Sequence, residues 1–348
     1  MNPNLAQFTE AAARDMAAAN ETLTKLFPPL RFSQLKALEI NPDDYILGRG
    51  LLRRGQWTLF TGGTGIGKSV AVDQFAACIA GGKHIFGLTV SRPFEVLLLT
   101  AEDDEEVLKR NFVAIADHET LDPALLDANL QIHHAYALDG PELHDAVAAE
   151  LARGSFDLVI LDNYQAYSGA CDLNDSAAWN LFIKPFERML KERRAAMLLV
   201  DHTGKPVERK NWGKHDSVYL AAGTSRKSNG ARASIELFTP TADDDRYRLH
   251  FGKNWERAGV VDAQGRPVRD VYLDRAPSAD APYWKPCADQ RERRPRLKGE
   301  EDVIAWATHN PGMSYQKIAD ATGLSKSKVG RIMQKFPDLA SQRGADNT

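Results

Sequence analysis

Residues 56–80 read Gln56-Trp57-Thr58-Leu59-Phe60-Thr61, then Gly62-Gly63-Thr64-Gly65-Ile66-Gly67-Lys68-Ser69, then an alanine-rich run from Val70 to Ala80. An apolar run, a glycine-rich turn and a helix-forming run, in that order, are the setting that the pattern G-x-x-x-x-G-K-[ST] requires. The glycines let successive backbone N–H groups converge on one anion, and the helix N-terminus adds its dipole. Lys68 is then placed to reach the β- and γ-phosphates of a nucleotide such as ATP, and Ser69 to ligate Mg2+.

Outward from this loop, continuous apolar runs alternate with helix-like segments. Val96-Leu97-Leu98-Leu99-Thr100, Leu158-Val159-Ile160-Leu161-Asp162 and Ala196-Met197-Leu198-Leu199-Val200-Asp201 have the unbroken apolar character of parallel strands covered on both faces. Between them, segments 105–118, 142–153 and 175–194 carry apolar residues at helical spacing. The alternation predicts an α/β fold with an open, mostly parallel, doubly wound sheet. Ser234–Phe238 and Tyr247–Phe251 predict later strands, with a hairpin turn at Asp243-Asp244-Asp245.

With 348 residues, 43% hydrophobic and 26% charged, the chain has room for two domains of ordinary globular composition. Cys78, Cys171 and Cys287 form no CxxC pair, which argues against a disulfide framework or a zinc site and predicts a cytoplasmic protein. No apolar run approaches the roughly 18 residues that span a membrane, so no membrane partner is expected. The net charge is −3, but residues 285–348 carry +4 against −7 for the remainder. A basic end on an acidic body hints at DNA and is equally compatible with ordinary surface variation.

Hydrolysis needs more than a phosphate loop: an acid to order Mg2+ and a group to orient water. Asp162 ends a strong apolar strand and suits the first role. Asn163 follows it, so the second acid must come from elsewhere. Ligands of such sheets bind outside the carboxyl ends of the strands, and Glu102 follows the 96–100 run. Glu102 is therefore the candidate water-orienting base, with a plain helix N-terminal acid as the alternative. His202, after the 196–201 run, is a candidate γ-phosphate sensor or a structural histidine.

The ordered set Gly62–Ser69, Ala101-Glu102-Asp103, Leu161-Asp162, His202-Thr203-Gly204-Lys205, Gly223-Thr224-Ser225 and Ala231-Arg232-Ala233 resembles the RecA-like ATPases typified by the hexameric plasmid RepA replicative helicases. The resemblance covers roughly residues 40–260. It implies a RecA-like P-loop NTPase core assembled as a ring, a hexamer, with ATP sites between subunits. It would make Glu102 the catalytic base, Arg232 an arginine finger acting on the neighbour's ATP, and Lys253 a second cation acting in trans. Asp201 departs from the pattern, because many relatives have a second histidine there.

In such a core the loop after the 196–201 strand would line the ring's channel. Here it runs from His202 to about Ala222 and carries Lys205, Arg209, Lys210 and Lys214, with Trp212 and Tyr219 among them. Cations interleaved with aromatics suit single-stranded DNA, and a solvated loop is the alternative. At the end of the chain, segments 301–308, 314–321 and 325–335 predict three short helices with Ser314 and Ser325 as N-caps. They look like an all-α helix-turn-helix, winged-helix-like domain whose last helix presents Lys326, Lys328, Arg331 and Lys335. Such a helix would enter a DNA major groove, at duplex origin DNA, or the domain would dock replication proteins.

The expected layout is an N-terminal helical segment at 1–35, containing an alanine-rich helix over Leu5–Phe27, then a RecA-like ATPase domain at 36–275. A linker at 276–298, rich in proline and charge, leads to the helix-turn-helix domain at 299–348. The expected function is an ATP-hydrolysing, ring-forming DNA helicase or translocase, replicative for a plasmid, phage or other mobile element. The alternative is an ATP-dependent DNA-binding regulator acting through the C-terminal helices.

Overall fold

The structure, a computed structural model, describes residues 29–169, 175–203, 226–238, 247–276, 281–287, 299–309 and 313–334. The expected Leu5–Phe27 helix, the cations Lys205, Arg209, Lys210 and Lys214, Trp212, Tyr219, Gly223–Ser225, the 243–245 turn and Lys335 lie outside the described residues. The chain divides into a short unit, Met1–Pro42, and a large one, Asp43–Thr348. Among the described residues of the short unit, α1 (Phe32–Lys36) is helical, and Leu30, Phe32, Leu35, Leu38 and Ile40 are exposed.

In the large unit, β1 (Tyr45–Leu47) and β2 (Leu52–Arg53) make a small antiparallel pair. Then come β3 (Trp57–Gly62), α2 (Lys68–Ala80), β4 (Val96–Thr100), α3 (Glu105–Glu119), α4 (Pro123–Asn129) and β5 (Leu130–His134). They are followed by α5 (Gly140–Arg153), β6 (Leu158–Asp162), α6 (Tyr164–Tyr167), α7 (Ser176–Arg193) and β7 (Ala196–His202). The chain continues through α8 (Arg226–Gly230), β8 (Ala233–Phe238), β9 (Tyr247–Phe251), β10 (Asp270–Arg275) and β11 (Trp284–Pro286). Nine strands form one sheet in the order β11-β10-β9-β8-β3-β7-β6-β4-β5. The six from β8 to β5 are parallel, and β9, β10 and β11 extend the sheet antiparallel. This is the mostly parallel α/β architecture of a RecA-like P-loop core, as the strand and helix pattern predicts.

The apolar runs behave as their composition requires. β3, β4 and β6 are buried along their whole length. Alternate side chains enter two separate cores. Phe60, Leu98, Ile160 and Leu198 pack with α2 on one face; Leu59, Leu97, Val159 and Leu199 pack with α5 and α7 on the other. Because β3, β4, β6 and β7 run parallel, their carboxyl ends reach one edge of the sheet. Four loops separated by up to about 140 residues of chain therefore converge.

Residues 276–298 are not simply a linker. Trp284–Pro286 pairs with Leu273–Arg275 as the edge strand β11, and Trp284 is fully buried. Its proline- and charge-rich flanks hide a three-residue strand, and its backbone is hydrogen-bonded to Gln74 of α2, far back in sequence. After it, α9 (Glu300–His309), α10 (Tyr315–Thr322) and α11 (Lys326–Gln334) gather Val303, Ala307, Ile318, Ala319, Val329, Ile332 and Met333 into a core of their own. Ser314 accepts from the Lys317 amide and Ser325 from the Lys328 amide, so both expected caps form.

Candidate functional site

The phosphate loop bridges β3 and α2. Gly67, the residue before the helix, has φ +91°, and Gly65 has φ +74°, conformations that a side chain rarely adopts. Lys68 begins the helix and is nearly buried. Its Nζ donates to the Gly63 carbonyl at 2.9 Å and to His202 Nδ1 at 3.0 Å. Burial draws the Lys68 ammonium down from its ordinary value, while Asp162, Glu102 and Asp201 oppose that shift.

His202 stands at the end of β7, directly beside Gly62 in register. An ammonium can only donate, so Nδ1 of the imidazole accepts from Lys68, and Nε2 lies 3.2 Å from Asn163 Nδ2. Nε2 lies 3.7 Å from Glu102 Oε1. Thr64 Oγ1 is also within 3.4 Å of Nδ1. Glu102 is half exposed, and its Oε1 accepts from Asn163 Nδ2 at 2.6 Å. The N-cap of α3 is Asp104, whose carboxylate accepts from the Val107 amide at 2.9 Å. Asp104 is thus the cap of α3, and Glu102 lines the cleft.

Asp162 is buried at the end of β6. Burial first, then Asp103 and Glu102, push its carboxyl up to about 7, against Lys68 and Ser69. The nearby Ser69 hydroxyl opposes the rise at both Asp162 and Asp103, and burial raises Asp103 as well. Among the described residues no cluster of three or more His, Cys, Asp or Glu is arranged to hold a metal by itself. Excess negative charge around a hydroxyl nonetheless fits Mg2+, which is held by one or two protein groups together with phosphate oxygens and water. Ser69 and Asp162 would hold it, and it would neutralise phosphate charge there.

These residues line one cleft of about 300 Å3, together with Val107, Arg110, Asn111, Arg275 and Pro282. A larger cavity, about 570 Å3, opens beside Phe86, Val260 and Tyr272 and holds none of the predicted site residues. Asp201, the departure from the expected pattern, is fully buried. It accepts from Lys227 Nζ and from the His202 amide, both at 2.8 Å. Burial raises its carboxyl while Lys227 opposes the shift. Its role in the fold is to anchor the backbone of His202.

Arg232 and Lys253 are not in the cleft. The Arg232 amide donates to the Trp57 carbonyl at 3.0 Å, at the amino end of β3. Lys253 Nζ donates to the Asn229 and Ser228 carbonyls, at 2.6 and 3.2 Å. Burial and the nearby Arg232 charge both lower Lys253. The two cations share the edge of the sheet opposite the phosphate loop, one strand length, about 17 Å, from Gly62. On α11, Lys326 and Arg331 are exposed and Lys328 is half-buried.

Sequence reasoning missed Asp103 as a partner of Ser69, Asn163 as a partner of Glu102, and the contribution of Arg275 and Pro282. Asp103 and Asn163 adjoin predicted residues, so adjacency was the available signal. No local signal ties β10 and β11 to a loop two hundred residues earlier.

A family model described as an AAA domain, AAA_25, matches residues 20–208, more than half of the chain. The matched region holds the phosphate loop, Glu102, Asp162 and His202, and ends before Arg232, Lys253 and the C-terminal helices. No curated protein matches the chain.

Proposed function

Because the chain belongs to the AAA_25 family of AAA-domain P-loop ATPases, we propose that it is an ATP-hydrolysing, ring-forming DNA helicase or translocase that serves replication of a mobile element. Lys68 and Ser69 bind Mg-ATP with Asp162. Glu102, held by Asn163, orients the attacking water and accepts its proton. His202, bonded to Lys68 and beside Glu102, reports the γ-phosphate to the channel loop that follows β7. Hydrolysis then moves that loop along single-stranded DNA.

The observation that carries the ring is the separation of charges. Arg232 sits a strand length from its own phosphate loop, so any action on a nucleotide is on that of a neighbouring subunit. A finger supplied in trans is worth roughly 10³-fold or more in rate. A ring also concentrates the loop cations Lys205, Arg209, Lys210 and Lys214 in one channel, which offsets the acidity of the chain. The C-terminal helices, with Lys326, Lys328 and Arg331 on α11, would form a helix-turn-helix that binds duplex origin DNA or a replication protein.

The exposed cations of α11 also favour a second reading, an ATP-dependent DNA-binding regulator. Strand displacement and ATPase stimulation, measured with single-stranded and duplex DNA, separate the two. A helicase is stimulated by single strands of any sequence. Replacing Lys205, Arg209, Lys210 and Lys214 with alanine then removes stimulation and unwinding, and flattens the salt dependence of binding by roughly 0.7 in log–log slope for each phosphate no longer neutralised. Removing residues 298–348 leaves ATP turnover in place and weakens duplex binding. If the truncation abolishes single-strand stimulation while the loop variant behaves as wild type, the regulator is the better account.

A further inference from the structure

The chemistry proposed so far uses Glu102, Asn163 and His202 beside the phosphate loop. The same cleft is also lined by Val107, Arg110 and Asn111 from α3, and by Arg275 and Pro282 from the β10–β11 hairpin. The hairpin lies outside the family-matched residues.

The hairpin is fixed to the phosphate loop and to the helix after it, α2, by three hydrogen bonds. The Trp284 amide donates to Gln74 Oε1 at 2.9 Å, and Gln74 Nε2 donates back to the Trp284 carbonyl at 2.8 Å. A glutamine side chain thus pairs with the strand backbone much as another strand would. The indole Nε1 donates to the Gly67 carbonyl at 3.1 Å. The ring occupies the space a side chain at position 67 would need, because a Cβ there would lie 2.9 Å from Trp284 Cζ2. Behind it, Tyr283 stacks on His118 of α3, with ring centroids 3.7 Å apart and planes 13° from parallel. Arg275 is directly opposite Trp284 in register. It is exposed, and Pro282 is buried.

A planar guanidinium and a proline that line this cleft, neither of them among the groups assigned to the phosphates, suit a flat heteroaromatic ring. We propose that the β10–β11 hairpin forms the wall for the nucleoside half of the nucleotide: Arg275 and Pro282 bind the base, and Trp284 is a positioning residue that holds the phosphate loop in its bound conformation. The proposal rests on the ATPase reading and adds a base subsite, in the same chain, to it.

ADP and inorganic pyrophosphate, each with Mg2+, separate the two halves of the ligand in equilibrium binding to the full chain. Arg275→Ala is expected to weaken ADP by about three- to tenfold, the range of a partly exposed cation–ring contact, and to leave pyrophosphate unchanged. Trp284→Phe, which keeps an aromatic side chain but loses the N–H to Gly67 and the ring atoms packed against that glycine, is expected to weaken both ligands alike. Lys68→Ala, also weakening both, reports on the nucleotide site as such. Equal losses of ADP and pyrophosphate in Arg275→Ala would make Arg275 a phosphate cation and overturn the base wall, as would no loss of either. Trp284→Phe binding both ligands as wild type does would overturn its positioning role. If Lys68→Ala loses binding while the hairpin variants do not, only this inference fails. If the wild type binds neither ligand, the ATPase reading fails and the hairpin proposal with it.

Discussion

Asn163 donates its side-chain amide to Glu102 across the ends of two neighbouring strands, at 2.6 Å. The position directly after the strand-end aspartate therefore supports the acid on the next strand instead of supplying one. A carboxylate that accepts an amide N–H keeps an oxygen fixed in the cleft while the group stays half exposed to water.

Glu102→Gln is expected to retain Mg-ATP binding and to lose turnover by about 10²–10⁴-fold, because it preserves size and removes the base. Lys68→Ala is expected to weaken binding itself. Asn163→Ala should lower kcat with little change in KM, since it releases the base without touching the phosphates. Binding assays beside steady-state kinetics check all three; near-normal turnover by Glu102→Gln would remove it from the mechanism.

Asp162 gives a pH signature. Its carboxyl is raised to about 7, so without a cation it holds its proton well above the usual carboxylate range. A cation must displace that proton. Apparent Mg2+ affinity should then climb up to about tenfold per pH unit below 7 and level off above it. Mg2+ titrations of ATPase activity between about pH 6 and 8 test this, and a flat dependence would show that Asp162 is not the proton-linked ligand.

Arg232 lies at the far edge of the sheet from its own cleft, which predicts complementation. Each of Arg232→Ala and Glu102→Gln should be nearly inactive alone. Mixed, they should recover activity in proportion to the interfaces that hold both intact groups. Full activity of a monomeric wild-type chain, measured with light scattering alongside the ATPase assay, contradicts action in trans.

Glu236 predicts a stability trend. Burial raises its carboxyl to about 7, with His250, Ser234 and Arg248 opposing and Asp270 reinforcing. Ser234 Oγ donates to Oε1 at 2.9 Å, His250 is 3.7 Å from Oε2, and among the described residues Oε2 has no hydrogen-bond partner. The folded chain thus keeps a proton that the unfolded chain releases near the ordinary glutamate value. Stability falls as pH rises through that window, by on the order of 2–3 kcal/mol between about pH 5 and 8. Glu236→Gln, which keeps the Ser234 contact, should flatten that dependence and raise the melting temperature at pH 8. An unchanged pH profile would place the titration elsewhere.

What the sequence determined by itself is the set of local features: the loop Gly62–Ser69, the buried strands, the helices between them and the caps at Ser314 and Ser325. Each is dictated by periodicity, glycine placement or a single side-chain hydrogen bond. Parallel strands must send their carboxyl ends to one edge, so the candidates Glu102, Asp162 and His202 were legible as strand-end residues from the chain alone. Only the tertiary structure decided the rest. Sheet order set Asn163 against Glu102, and the buried ion pair with Lys227 explained Asp201. The register of β8 on β3 carried Arg232 away from the cleft, and Gln74 drew Trp284 under the phosphate loop. These are pairings between segments up to two hundred residues apart. Their free energy comes from burying complementary surfaces that no local window of sequence contains.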